Sequence, residues 1–268
     1  MIHNPPSATA LVTGASSGIG EAIAREYARR GIGLVLVARR IDRLQALASE
    51  LGTRVPVAVI AADLADTGAP ARIVEQLRRE GINVDILVNN AGYGVPGRFL
   101  SADWKTHADF LQVMVGAVAE LTHRLLPGME ARGRGGVLNV ASVAGLVPGS
   151  AGHTMYGAVK SWMIRFSESL ALESAPRGVN VTALCPGFTY SEFHDVTGTR
   201  AQVSRMSPRM WLDADSVARA GIEALEAGEP MCIPGWRYRL IRQLAKLLPD
   251  GLARRVIARR SKDFRDDS

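Results

Sequence analysis

TGASSGIG, residues 13–20, is the stretch on which the reading of the whole chain turns. It closes the apolar run TALVTG (9–14) and opens a segment with apolar residues at Ile19, Ala22, Ile23 and Tyr27, the spacing of one helix face. A strand that passes through glycines into a helix is a tight β-to-α turn. Gly14, Gly18 and Gly20 let the backbone come close to a ligand. The helix start beyond them offers unpaired N–H groups and the positive end of the helix dipole, which suits a pyrophosphate. A plain turn that needs only small residues is the alternative. Three glycines and two serines within eight residues favour the phosphate site.

Outward from this turn the same alternation repeats. Strand-like runs LVLVA (34–38), VPVAVIA (55–61), DILVNNAG (85–92), GGVLNVAS (135–142), VNVTALCPG (179–187) and PMCIPG (230–235) alternate with helical patterns. The helical patterns cover 41–51, 68–80, 103–126, 155–174 and 214–227. Strands this continuously apolar are buried on both faces, so the expected fold is α/β. It is a single doubly wound, Rossmann-type parallel sheet of about seven strands with helices on both sides. No internal repeat or linker divides the chain. Residues 1–235 read as one dinucleotide-binding and catalytic domain, with a substrate lid near 188–213 and a basic helical extension over 236–268.

Composition narrows the function classes. The chain has 268 residues, 47% hydrophobic and 22% charged, which excludes extended disorder as the main state. Cys185 and Cys232 are the two cysteines, too few for a disulfide framework and without zinc-ligand spacing, so no metal is expected and a cytoplasmic, reducing setting is. The start of the chain lacks a secretory pattern, and no run is long and apolar enough to span a bilayer. The net charge is +6, but ten of the 32 Lys and Arg lie in 231–268 against four Asp, so the rest of the chain is balanced. That distribution speaks against a nucleic-acid surface. Residues 235–260 read as two short amphipathic helices separated by Pro249-Asp250-Gly251, with Leu240, Leu244, Leu247 and Leu248 on one face and cations opposite. Such a tail packs against protein or touches an anionic membrane surface.

The second strand bears on cofactor choice. A carboxylate at its end would bind the ribose 2′-hydroxyl of NAD. The chain instead has Arg39 and Arg40, whose guanidinium groups suit a 2′-phosphate, so NADP(H) is expected. Tyr156 and Lys160, four apart at a helix start, share a face, and a nearby ammonium would lower the tyrosine pKa toward working pH. Tyr156 would then exchange a proton with a carbonyl or hydroxyl, with the Ser142 hydroxyl at a strand end bonding the same oxygen.

TGASSGIG, Asp63, NNAG (89–92), Ser142, YGAVK (156–160) and PG (186–187) occur in this order. Over about residues 8–235 the chain resembles the short-chain dehydrogenase/reductase family. The resemblance implies an NADP(H)-dependent oxidoreductase that interconverts a carbonyl and an alcohol, with Ser142, Tyr156 and Lys160 as catalytic residues. It further implies cofactor contacts from Gly14, Ser16, Ser17, Gly18, Ile19, Gly20, Arg39, Arg40, Asp63, Leu64, Asn90, Ala91, Gly92, Pro186, Gly187, Thr189 and Ser191, with Tyr156 and Lys160 also near the nicotinamide. Asn89 looks like part of the same cofactor wall. A homo-oligomer is implied in the same way. Two departures stand out. Met114 occupies the place of an Asn that in relatives supports a water beside the catalytic lysine. Ser142 and Tyr156 are fourteen residues apart, where thirteen is common. Met114 motivates an alternative, a catalytically impaired NADP-binding sensor or scaffold.

Overall fold

The protein is described by a computed structural model covering residues 8–149, 151–152, 154–190 and 207–247, with side chains as far as 244. Seven parallel strands form one sheet in the order β3-β2-β1-β4-β5-β6-β7. They are β1 (Thr9–Thr13), β2 (Gly33–Ala38), β3 (Val57–Ala61), β4 (Ile86–Asn89), β5 (Gly135–Val140), β6 (Val179–Leu184) and β7 (Met231–Cys232). The expected doubly wound sheet is therefore what forms, and each anticipated strand is present with trimmed ends. Strand order reverses between β1 and β4, which opens a crevice at their C-terminal ends, where open α/β sheets bind ligands.

Alternation along the strands builds two cores. Ala10, Val12, Leu34 and Leu36 face one layer, packed by α1 (Gly18–Arg29), α2 (Ile41–Leu51) and α7 (Ala214–Glu226). Leu11, Val35 and Val37 face the other, packed by α3 (Ala69–Arg79), α4 (Trp104–Leu111), α5 (Ala117–Ala131) and α6 (Thr154–Ser174). A final helix, α8 (Trp236–Leu247), follows β7. Asp103 and Asp213 start α4 and α7 by accepting backbone N–H bonds from Thr106 (2.8 Å) and Ser216 (2.7 Å). Among the described residues no helix is long and apolar enough to cross a membrane.

Two element boundaries differ from the sequence reading. The single helix expected over 103–126 is split by a π-helical turn, Gln112–Gly116, where Val113, Val115 and Gly116 are weak helix formers. α5 also continues through Pro127 to Ala131. Proline removes one helical bond, but the extra turn buries Met129 completely, close against Gly135.

Candidate active site

The glycine turn is held in shape by its neighbours. Gly14 and Gly18 have φ of 66° and 59°, a left-handed backbone that glycine adopts without strain. Gly20 is needed for room instead: a Cβ there would lie 2.3 Å from Asn90 Nδ2. Asn90 Nδ2 donates to the carbonyls of Thr13 (2.9 Å) and Gly14 (3.2 Å). The Thr13 hydroxyl accepts the N–H groups of Asn90 (3.0 Å) and Ala91 (3.1 Å) and donates to the Val88 carbonyl (3.2 Å). Thr13 thus pins the ends of β1 and β4 at the crevice. Sequence reasoning gave it no role, although a polar residue closing a buried apolar strand was the available signal.

Arg40 lies across the same turn. Its Nη2 donates to the hydroxyls of Ser16 (3.0 Å) and Ser17 (2.9 Å), so a guanidinium and two hydroxyls converge at the start of α1. Arg39 is more exposed and lies 4.0 Å from the Asp63 carboxylate. Asp63 also accepts the Ala65 N–H at 3.0 Å. Ile19 is partly buried against the first core. The Leu64 side chain is buried in the second core.

Asn89 is spent elsewhere. Its side chain is buried and donates to Asn139 Oδ1 (2.8 Å) and Thr122 Oγ1 (3.2 Å), while Asn139 Nδ2 donates to Ser167 Oγ (2.9 Å). This satisfied network ties β4, β5, α5 and α6 together beneath the site. The exposed wall after β4 is left to Asn90, Ala91 and Gly92.

On the far side of the crevice, Ser142 follows β5 by two residues and caps a short 3-10 turn, Val143–Leu146, accepting the Ala144 N–H at 3.1 Å. Gly145 lets that turn sit directly on α6, since a Cβ there would lie 2.6 Å from the Lys160 carbonyl carbon. The turn carries Ser142 to Tyr156, and the two side chains are hydrogen-bonded. Lys160 is 5% exposed and its Nζ donates to the Val140 carbonyl at 2.6 Å. The three residues expected to act together are thus brought to one place.

Their electrostatics correct one expectation. Burial pushes the Tyr156 hydroxyl up to about 12, opposed only by its Ser142 bond. The Lys160 ammonium donates to the Val140 carbonyl and lies 5.6 Å from the centre of the tyrosine ring. Burial also lowers Lys160 to about 8. At neutral pH Tyr156 is therefore a neutral phenol, a donor rather than a phenolate.

Met114 is completely buried in the π turn, against Gly92, where a Cβ would meet its sulfur at 2.6 Å. It fills space between the π turn and the wall after β4. Beyond Tyr156, a cavity of about 10 Å³, near the room one water needs, is lined by Val95, Phe99, His107, Phe110 and Met155. His107 is fixed there by a 2.8 Å bond to the Phe99 carbonyl and by stacking on the Phe99 ring. Trp104 is largely exposed.

The loop after β6 closes the site. The Pro186 carbonyl accepts the Val143 N–H at 3.0 Å, and the Thr189 hydroxyl donates to the Gly187 carbonyl at 3.1 Å. Cys185 is a buried thiol, raised to about 12 by burial, in keeping with an inert packing residue. Ser191, His153, His194, Met206 and Leu248 lie outside the described residues. Among the described residues no His, Cys, Asp or Glu cluster is arranged to hold a metal.

The chain is similar to known proteins. The family model for the short chain dehydrogenases matches residues 8–201. Nodulation protein G of Rhizobium sp. (strain N33) is 42% identical over 189 residues, 69% of this chain and 75% of that protein. An uncharacterized oxidoreductase of Myxococcus xanthus (strain DK1622) is 33% identical over 253 residues, 92% of this chain and 97% of that one. The structure of a short-chain dehydrogenase from Sphingobium yanoikuyae in complex with NADPH superposes with a TM-score of 0.79 at 31% identity, covering 91% of this chain and 96% of that chain. With the glycine turn, the parallel sheet and the Ser142–Tyr156–Lys160 group in place, the chain belongs to the short-chain dehydrogenase family.

Proposed function

We propose that the protein is an NADP(H)-dependent reductase of small-molecule carbonyl compounds. The observation that carries this reading is the meeting of a neutral, buried Tyr156 with Ser142, at the end of β5 and across the crevice from the Arg40–Ser16–Ser17 cluster. The donor set fits the cofactor. The α1 N-terminus suits a pyrophosphate, and Arg40 with the two serines suits a 2′-phosphate. The NADPH bound by the Sphingobium neighbour supports the same choice. When bound, the cofactor supplies a hydride equivalent. The chain does the rest. Ser142 bonds the substrate oxygen and orients it. Tyr156, protonated at working pH, donates its proton to that oxygen. Lys160, charged below about pH 8, favours the phenolate left behind.

This assignment fixes a pH dependence. Lys160 loses its proton as pH rises through about 8, so kcat/KM for reduction falls above that value. Tyr156 does not titrate in that range. Lys160→Met leaves a low, pH-independent rate; a variant that keeps the inflection near 8 assigns it to another group. Stability runs the other way. Between about 8 and the ordinary value of 10.5 the unfolded chain binds the extra proton, so folding strengthens with rising pH across that window.

A second reading concerns α8. Tyr238 faces inward and is buried, while Trp236, Leu240 and Leu244 are 59%, 49% and 52% exposed on the opposite side. The helix carries Arg237, Arg239, Arg242 and Lys246 and no acid. This supports contact with an anionic membrane surface. Flotation with anionic vesicles, lost in neutral vesicles and in the Leu240→Glu/Leu244→Glu variant, is the expected result. Equal behaviour of variant and parent sets the reading aside. A homo-oligomer in the cytoplasm, for which exposed Leu172 on α6 offers a contact, belongs to the same proposal.

A further inference from the structure

Tyr238 stands fifty residues beyond the loop that follows β6, yet it is built into that loop. It is 3% exposed and packs with Met163, Ile164, Cys185 and Ile233. Its hydroxyl accepts the Phe188 N–H at 3.0 Å and donates to the Met210 carbonyl at 2.5 Å, so one group holds two segments far apart in sequence. Those segments are joined at a second level. Leu212 N–H donates to the Phe188 carbonyl (2.8 Å), Tyr190 N–H donates to the Leu212 carbonyl (3.0 Å), and the Tyr190 ring stacks on Trp211 at 4.6 Å. The ring of Tyr238 also lies flat against Gly187. A Cβ at 187 would come within 1.9 Å of the tyrosine Cζ. No left-handed φ is recorded at Gly187, so the glycine is required for room and not for backbone conformation.

We propose that Tyr238, from the C-terminal helix, is a positioning residue for the substrate-side wall. It seats on Gly187 and clamps Phe188 to Met210, and so sets how residues 186–190 and 207–212 stand beside the Ser142–Tyr156 pair. Its hydroxyl touches no reacting atom, so its loss weakens substrate capture more than it slows the proton step. This rests on the reductase reading, and the test separates the two.

Tyr238→Phe keeps the ring and removes both bonds. Its expected effect is a KM for the carbonyl substrate about tenfold higher, with kcat within about threefold of the parent, a split that a general loss of folded protein does not produce. The second arm uses NADPH binding alone. Gly187→Ala forces a methyl group into the tyrosine ring and weakens NADPH about tenfold, and Gly187→Ala/Tyr238→Ala recovers most of that loss because the room returns. A Tyr238→Phe protein with the parent KM, or a double variant that binds NADPH no better than Gly187→Ala, overturns the proposal. If the parent reduces no carbonyl compound, the reductase reading fails, and the NADPH arm still decides the role of Tyr238.

Discussion

Replacing Tyr156 by phenylalanine lowers kcat for carbonyl reduction by about a thousandfold, within the range that a positioned general acid contributes. The expectation follows from the burial that holds the hydroxyl protonated and from its bond to Ser142. Phenylalanine fills the same space beside Met155 and leaves the proton without a donor. NADPH binding, for which the glycine turn and Arg40 are proposed to supply most of the contacts, stays within about twofold of the parent. A variant that keeps a tenth or more of the parent rate assigns proton delivery to another group. Ser142→Ala tests the partner residue. It removes the hydroxyl that orients the substrate oxygen, and its loss is smaller because Tyr156 remains a donor.

Arg40→Ala gives the second large effect, and it separates the two nicotinamide cofactors. Arg40 is held over the glycine turn by Ser16 and Ser17, so it is already ordered where a 2′-phosphate would be met. Losing its charge-assisted bonds weakens NADPH about thirtyfold, each such bond contributing about 1.5–3 kcal/mol before solvent screening. NADH, which has no 2′-phosphate, changes by less than about threefold. Arg39→Ala has a smaller effect, because Arg39 is mostly exposed and leans toward Asp63. Equal losses for NADPH and NADH in Arg40→Ala would mean that the residue supports the turn and does not read the phosphate.

The parts legible in the sequence are those set by local spacing. The glycines of 13–20, the strand runs and the Tyr156–Lys160 pair each depend on residues a few positions apart, and each forms where the pattern puts it. What escaped depends on contacts across the fold. Asn89 stands in a motif that suggested the cofactor wall, yet its amide is used by Asn139 and Thr122, partners from distant segments. Tyr238 lies in a stretch that reads as an appended tail, and nothing near it in sequence announces Gly187 or Met210. The Tyr156 pKa failed for a related reason. Spacing places Lys160 on the same helix face, but it cannot show the burial that raises the Tyr156 hydroxyl. Met114 is a departure whose consequence is partly visible: the thioether fills the space beside Gly92, and the helix carries a π turn at that point.

Carbonyl reduction with NADPH in this crevice is the proposed reaction. The most direct test mixes the protein with NADPH carrying deuterium at both nicotinamide C4 positions and a panel of aldehydes, ketones and 3-oxoacyl esters, and reads the products by mass spectrometry. The expected product is an alcohol that carries deuterium on its carbinol carbon, formed by the parent and absent with Tyr156→Phe. Tight binding of NADPH with no labelled alcohol from any member of the panel would contradict it.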